Sequence, residues 1–321
     1  MKKYLIRRIF SGILTILVVF TMNFLLVKSA PGDPIRTLMG KETDDPVLRA
    51  ALEEKWGLDK PLYEQYWNYL ENALTGDLGT SIIYNRSVNE MISERVAATV
   101  ILGLTALLIS FILGTVMGIF CARRDGSLID TVLSTASYAT DAMPSFWLGL
   151  MLMIIFATKL GWVPSQGMFN VRANYTGFKY AMDVAHHLVL PCTTLVLITM
   201  SGYFRITKSS ILQVTNEDFI TTMRATGMSD KKIFNKYIFR NAILPTVTML
   251  GISVAFLITG VSLIEIVFSW PGMGRLTLTA INQRDYPTLM GIYLVMNASV
   301  VVVMIITDIF YALLDPRIRY D

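Results

Sequence analysis

Apolar residues along this chain gather into runs long enough to cross a bilayer, separated by mostly short polar connections. A hydrocarbon core about 30 Å thick takes about 20 helical residues to cross. Six such runs lie at roughly 5–27, 96–121, 131–160, 188–203, 244–268 and 288–314. Unpaired backbone groups are costly in lipid, so spanning segments pair their own N–H and C=O groups as helices. The alternative, a barrel, needs alternating segments of about ten residues, and the sequence has none. The pattern predicts an all-α, polytopic membrane protein with six transmembrane helices.

The first run follows Lys2, Lys3, Arg7 and Arg8, a basic start that a secretory leader shares. Leader cores are about 7–15 residues long, whereas this one continues from Ile9 to Val27 without an A-x-A-like site, so it is expected to stay as a span. Basic residues in short loops favour the cytoplasmic side. Lys2, Lys3, Arg7, Arg8, Arg123, Arg124, the segment from Arg205 to Arg240, and Arg317 and Arg319 all fall on one side when the N-terminus is inside. The long segment 31–95 on the other side holds more acidic than basic residues. Both termini are therefore expected to be cytoplasmic.

Composition agrees with a lipid environment: 53% of residues are apolar and 16% charged, against about 25% charged in soluble domains. The inside-loop bias accounts for the formal net charge of +4, so no nucleic-acid partner is implied. Cys121 and Cys192 lie in or at the edge of predicted spans, which indicates no disulfide framework. His186 and His187 are adjacent, and adjacent helical side chains do not face each other, so they read as a polar cluster and not a metal site.

The chain divides into a first span (1–30), an extramembrane helical layer (31–95) and a five-helix core (96–321) with cytoplasmic helices over 217–243. Within the layer, the prolines and glycine at 31–34 predict a turn, and 47–56 and 62–74 carry helical patterning, the latter opened by Pro61. Inside the membrane, Asp141 lies three residues before Pro144, where a kink is expected. The cytoplasmic loop 204–243 shows two short helical patterns. Phe219 and Met223 are four apart, as are Ile233 with Tyr237 and Phe234 with Ile238. Gly227 suits the left-handed residue that closes a helix, and Ser229 suits the cap of the next. These features predict a helix-turn-helix that either meets a partner or lies on the lipid surface, with Lys231, Lys232 and Lys236 toward headgroups. The spacing alone leaves both readings open.

At Arg224-Ala225-Thr226-Gly227 and Arg240-Asn241-Ala242-Ile243-Leu244-Pro245 the loop resembles the coupling motif of binding-protein-dependent ABC importer permeases. In that motif a short helix runs into a glycine, and a Leu-Pro pair follows. It generally opens Glu-Ala-Ala, where this chain has Thr221-Thr222-Met223, and the stretch from Gly227 to Leu244-Pro245 is longer than in many permeases. Both departures resemble the oligopeptide and dipeptide branch. So do Pro31-Gly32-Asp33-Pro34, Gly57-Leu58-Asp59-Lys60-Pro61-Leu62 with Gln65-Tyr66, and Gly76-Asp77-Leu78-Gly79-Thr80-Ser81. Glu265 through Leu276, Arg284-Asp285-Tyr286-Pro287 and Asp315-Pro316-Arg317 extend the likeness over essentially the whole chain.

The resemblance implies the type I importer permease fold and the first of two permease subunits of a di- or oligopeptide importer in a bacterial or archaeal cytoplasmic membrane. It implies a sister permease, an extracytoplasmic solute-binding protein, and two ATPase subunits that bind ATP and Mg2+. This chain lacks the G-x-x-x-x-G-K-[ST] loop that cradles phosphates and is expected to hold no cofactor and to be no enzyme itself. The helix 218–226 is implied to enter a groove of the ATPase, with Phe219, Met223, Arg224, Ala225, Gly227 and Met228 as coupling residues.

Ionisable residues in spans are costly and face interiors or cavities. Asp141 is accordingly a candidate for the translocation path and Glu265 for an outer gate, each with a packing role as alternative, and Asp308 is assigned to structure. Trp56, Tyr63, Tyr66 and Trp67 are candidates for docking the binding protein, unless they pack the layer or sit at the membrane interface. Nickel chelates, glutathione or another small solute are alternative cargoes, since permeases of this branch serve them too. A membrane protease or lipid transferase would need a nucleophile and base in one place, which the sequence does not offer. A passive channel would have no use for the structured loop.

Overall fold

The computed structural model describes residues 2–30, 32–39, 45–257 and 261–314, the side chains of 2–5 and 310–314 excepted. Pro31, the Asp315-Pro316-Arg317 stretch and Arg319 lie outside the described residues. Two compact units emerge, one from residues 1–99 and 271–321 and the other from 100–270. The first holds α1 (Lys2–Ser29), α2 (Pro34–Met39), α3 (Pro46–Lys55), α4 (Leu62–Leu74) and the opening turns of α5 (Val88–Ala122). The second holds the rest of α5, then α6 (Leu128–Ala142), α7 (Ser145–Leu152), α8 (Gly177–Thr215), α9 (Asp218–Ala225), α10 (Asp230–Ile233), α11 (Phe239–Ala242), α12 (Leu244–Ala255) and α13 (Ser262–Val267). The chain then returns to the first unit with α14 (Met273–Gln283) and α15 (Tyr286–Leu314).

Among the described residues, five helical runs are long and apolar enough to cross a membrane, six when the bent pair 128–142 and 145–159 is one span. Three expected spans need revision. The run 131–160 is not a kinked helix but two helices meeting at 106°. Met143, just before Pro144, is held at ψ 137° because the proline ring excludes the helical conformation from its predecessor, and Pro144 itself has ψ 131°.

The run 188–203 belongs to the 39-residue α8, which continues at both ends where polarity hid it. His186, His187, Arg205 and Lys208 therefore ride on a helix and not in loops. Within the run 244–268, α12 ends at Ala255 with a turn at Phe256 and α13 covers Ser262–Val267, while on its other side the helix reaches back to Asp230. Ile243 keeps helical dihedrals (φ −77°, ψ −20°), so no loop precedes α12.

In the first unit α1 and α15 lie side by side. A Cβ at Gly12 would come within 2.9 Å of Val301 Cγ1, and Arg8 forms an ion pair with Asp308, in keeping with a structural role for that carboxylate. Three of the recognised sequence stretches converge on the start of α15. Asp285, fully buried, accepts from Ser81 Oγ (2.5 Å), Ile82 N–H (3.2 Å) and Thr288 Oγ1 (2.7 Å). Tyr286 donates from its hydroxyl to Gly32 O at 3.1 Å. Asp33 caps α2 through the N–H groups of Ile35 and Arg36 and pairs with Arg49 at 2.7 Å. Burial opposes ionisation of Asp33, but Arg49 and those N–H groups hold its carboxyl below the usual range. The break at Gly272 is buried, and Met273 N–H donates to Thr99 Oγ1 at 2.8 Å, so the bend is covered by protein, as non-helical backbone at membrane depth requires.

In the second unit α5 and α8 touch through glycines one turn apart. A Cβ at Gly114 would lie 2.6 Å from Met200 O, and one at Gly118 would lie 2.9 Å from Phe204 O. Small residues at this spacing let helix backbones approach closely in a bilayer. Hydroxyl pairs connect the same layer: Ser110 with Thr199 at 2.6 Å, Ser137 with Ser201 at 2.9 Å and Thr207 with Thr246 at 3.0 Å. Nearer the end of α8, Lys208 Nζ lies 2.6 Å from Asp130 and 3.4 Å from Asp125.

Candidate functional site

The loop between the two helical runs is a helical hairpin with its own core. Ile211 of α8, Ile220 of α9, Ile233 of α10, Ile238 and Ala242 are all buried together, flanked by Val214, Met223, Met228 and Phe234. The anchor of α9 is thus Ile220 with Met223, an i, i+3 pair. The i, i+4 pair of Phe219 and Met223 is split, for Phe219 is 39% exposed. The sequence held the signal in Ile220 itself, the one β-branched aliphatic residue of that helix.

The turn of the hairpin is a Schellman motif. Gly227 adopts φ +79°, its N–H donates to Arg224 O at 3.0 Å, and Met228 N–H donates to Met223 O at 3.3 Å. Met223 and Met228, brought together by that bond, both pack on the hairpin core. Nothing lies within 4 Å of a Cβ built at Gly227, so backbone conformation and not crowding demands glycine. Asp218 in the first turn and Arg224 in the last complement the helix dipole. Ser229 occupies the cap position of α10, yet its side chain makes no capping bond, contrary to expectation. Of the six expected coupling residues, Phe219, Arg224, Ala225 and Gly227 are exposed, while Met223 and Met228 are half-buried against the hairpin core.

A cavity of about 360 Å³ opens in the same unit between α5, α6, α8 and α12. Leu107, Tyr203, Met249 and Ser253 are among its walls, and Asp141 and Arg205 supply its charge. Arg205 Nη2 lies 2.8 Å from Asp141 Oδ2, and its guanidinium is 5.8 Å from the ring of Tyr138. Charge counting along the sequence assigned Arg205 to a loop, which concealed the partner of Asp141. Glu265 is fully buried and is not itself among the residues that line the cavity, although its N–H donates to O of the lining residue Val261 at 3.0 Å. The histidines are tied locally: His186 Nε2 to Trp162 O at 3.0 Å and His187 Nδ1 to Asp183 O at 2.8 Å.

Hairpin and cavity share two helices. Arg205 is six residues before Ile211 on α8, about 9 Å at 1.5 Å per residue. On the other strand of the hairpin, Met249 follows Ala242 by seven residues. No loop therefore separates the hairpin core from the cavity along either helical run.

In the segment between α1 and α5, Tyr66 faces α1. Its ring lies 5.6 Å from Phe20 and 5.3 Å from Phe24, and its hydroxyl is 2.8 Å from Thr21 Oγ1. Trp56 is half-buried, and only Tyr63 and Trp67 of the four candidate docking residues are open.

Helices of this length around a charged cavity, with a capped hairpin at one end, define a multi-pass membrane transport subunit. The chain matches the family "Binding-protein-dependent transport system inner membrane component" over residues 114–320 and its N-terminal counterpart over 1–103, and it belongs to that family as an ABC importer permease. It is 37% identical over 321 residues to the oligopeptide transport system permease protein AppB of Bacillus subtilis. It is 35% identical over 335 residues to the di/tripeptide transport system permease protein DppB of Pseudomonas aeruginosa, and 36% over 320 residues to the glutathione transport system permease protein GsiC of Salmonella typhi. All of this chain and all of each relative are covered. The fold resembles the inward-facing MetNI methionine ABC transporter, with a TM-score of 0.54 at 14% identity over 70% of this chain and 96% of that one. It also resembles an amino acid ABC transporter, with a TM-score of 0.50 at 16% identity over 69% and 93%.

Proposed function

We propose that this permease carries di- and oligopeptides across a bacterial or archaeal cytoplasmic membrane, with both termini inside. It does so by alternating access with a sister permease, an extracytoplasmic solute-binding protein and two ATPase subunits that hold ATP and Mg2+. The exposed face of α9, with Phe219, Arg224 and Ala225, meets the ATPase. Met223 and Met228 fasten that helix to the hairpin core, and Gly227 closes it. The observation that carries this reading is the continuity of α8 and α12 from the hairpin core to the cavity. A rigid element with two discrete positions is what transmits a displacement.

Names of the relatives AppB and DppB favour peptide cargo, and that of GsiC favours glutathione, itself a tripeptide. In the reconstituted complex with its binding protein, oligopeptides are expected to stimulate ATP hydrolysis. Stimulation by glutathione or a nickel chelate with none by peptides would sink the peptide assignment.

Asp141 and Arg205 line the translocation path in this reading, their mutual ion pair yielding to the peptide's terminal charges. Glu265 is assigned to packing of the 261–270 segment and not to a gate. Arg205→Met strands the Asp141 carboxylate and is expected to slow uptake per assembled complex about tenfold, equivalent to about 1.4 kcal/mol of barrier. A purely structural pair would instead lower the amount of complex and leave its rate unchanged, which counts against the path assignment.

A further inference from the structure

The helix α4 carries an aromatic face that neither hairpin nor cavity uses. At about 100° per residue, one continuous arc runs from Tyr69 through Tyr66 and Tyr63 to Trp67, and the opposite arc holds Glu64, Asn68, Glu71 and Asn72. Only part of the aromatic arc is covered by protein. Tyr63 is 69% exposed, Trp67 62% and Leu74 81%.

The depth of this face follows from its contacts with α1. Arg8 and Lys28 are 20 residues apart on that helix, about 30 Å at 1.5 Å per residue, which equals the hydrocarbon thickness. Lys28 Nζ donates to Gln65 Oε1 at 2.5 Å, which places the polar flank of α4 at the boundary. The neighbouring tyrosines reach further in. Tyr69 stacks on Phe20 with centroids 5.1 Å apart and planes 9° from parallel, and Tyr66 bonds to Thr21. Those contact points are seven to eight residues inside Lys28, about 10–12 Å along the helix. The ring of Trp67 lies 5.6 Å from that of Tyr66 and carries the same layer outward. On α1 itself, Met22, Leu25 and Leu26 are exposed apolar residues at this depth.

We propose that α4 is a membrane-interfacial helix whose open aromatic face occupies the boundary between acyl chains and headgroups at the Lys28 end of α1, with its acidic and amide arc toward water. Amphipathic helices bury an apolar face roughly 5–10 Å into this zone, and tryptophan and tyrosine are enriched there. Tyr66 and Tyr69 then brace α1 within the leaflet, while Tyr63 and Trp67 face lipid and do not dock the binding protein.

Spin labels at Tyr63→Cys, Trp67→Cys, Leu74→Cys, Glu64→Cys and Asn68→Cys in the assembled transporter, in phospholipid vesicles, test this assignment. Native Cys121 and Cys192 are buried, and the unsubstituted complex supplies the background. Positions 63, 67 and 74 are expected to be accessible to oxygen and shielded from a water-soluble nickel chelate, positions 64 and 68 the reverse, with no change when binding protein is added. Equal access of the chelate to both sets would overturn the proposal. So would shielding of 63, 67 and 74 from both reagents, whether by the sister permease at all times or by the binding protein when it is added. Labels at 63 and 74 keep the test readable if Trp67→Cys fails to assemble.

Discussion

Gly227→Val is expected to impair uptake by about tenfold or more while leaving the permease inserted in the membrane. At φ +79° a β-branched residue costs about 1–3 kcal/mol, with no side-chain clash involved, because the surrounding space is empty. If the backbone relaxes to avoid that strain, the bonds from Gly227 N–H to Arg224 O and from Met228 N–H to Met223 O are lost, each worth about 0.5–1.5 kcal/mol. Met228 then leaves Met223, and the end of α9 is no longer fixed on the hairpin core. A deficit of that size moves an equilibrium by a factor of about ten or more, so few hairpins present the formed helix at any moment. Asparagine tolerates the left-handed region, so Gly227→Asn is expected to keep most of the activity. Uptake into vesicles, normalised to the amount of inserted complex, checks both variants. Normal transport by the valine variant would remove the capped helix from the coupling path.

This motif was legible because it is local. A glycine at the end of a short amphipathic pattern leaves few conformations. The spans α1 and α15 were legible for a similar reason, being unbroken apolar runs of the required length. What escaped was long-range pairing. Arg205 counts as a loop cation until α8 is known to continue beyond the lipid-like run, and only then does its bond to Asp141 appear. The anchor Ile220 was masked because Phe219 offered the conventional i, i+4 partner for Met223, and only packing against Ile211 and Ile233 decides between them. The convergence of Ser81, Ile82 and Thr288 on the buried Asp285 carboxylate, with Gly32 bonded to the adjacent Tyr286, was likewise invisible. Each stretch was recognisable alone, but Ser81 and Asp285 are 204 positions apart.

Replacing Gly114 by alanine is expected to destabilise the protein, the reverse of the usual effect of that change within a helix. In an ordinary helix interior, alanine is favoured over glycine by roughly 0.5–1 kcal/mol. Here the added carbon would sit 2.6 Å from Met200 O and 2.7 Å from Tyr203 Cβ, backbone and near-backbone atoms that cannot swing away. Helices α5 and α8 must separate, which stretches the Ser110–Thr199 bond one turn from Gly114, and overpacking of this kind costs about 1–3 kcal/mol. Gly202→Ala is the control, since its Cβ would meet only Met249 Cε at 2.6 Å and the sulfur beyond it. A flexible thioether end can move aside, so that variant is expected to be neutral or slightly more stable. Thermal unfolding in detergent should show a lower midpoint for Gly114→Ala, no folded protein for Gly114→Leu, and an unchanged or higher midpoint for Gly202→Ala. A rise for Gly114→Ala would mean that α5 and α8 are not in backbone contact. The strut that joins hairpin to cavity would then lack the support on which the coupling reading depends.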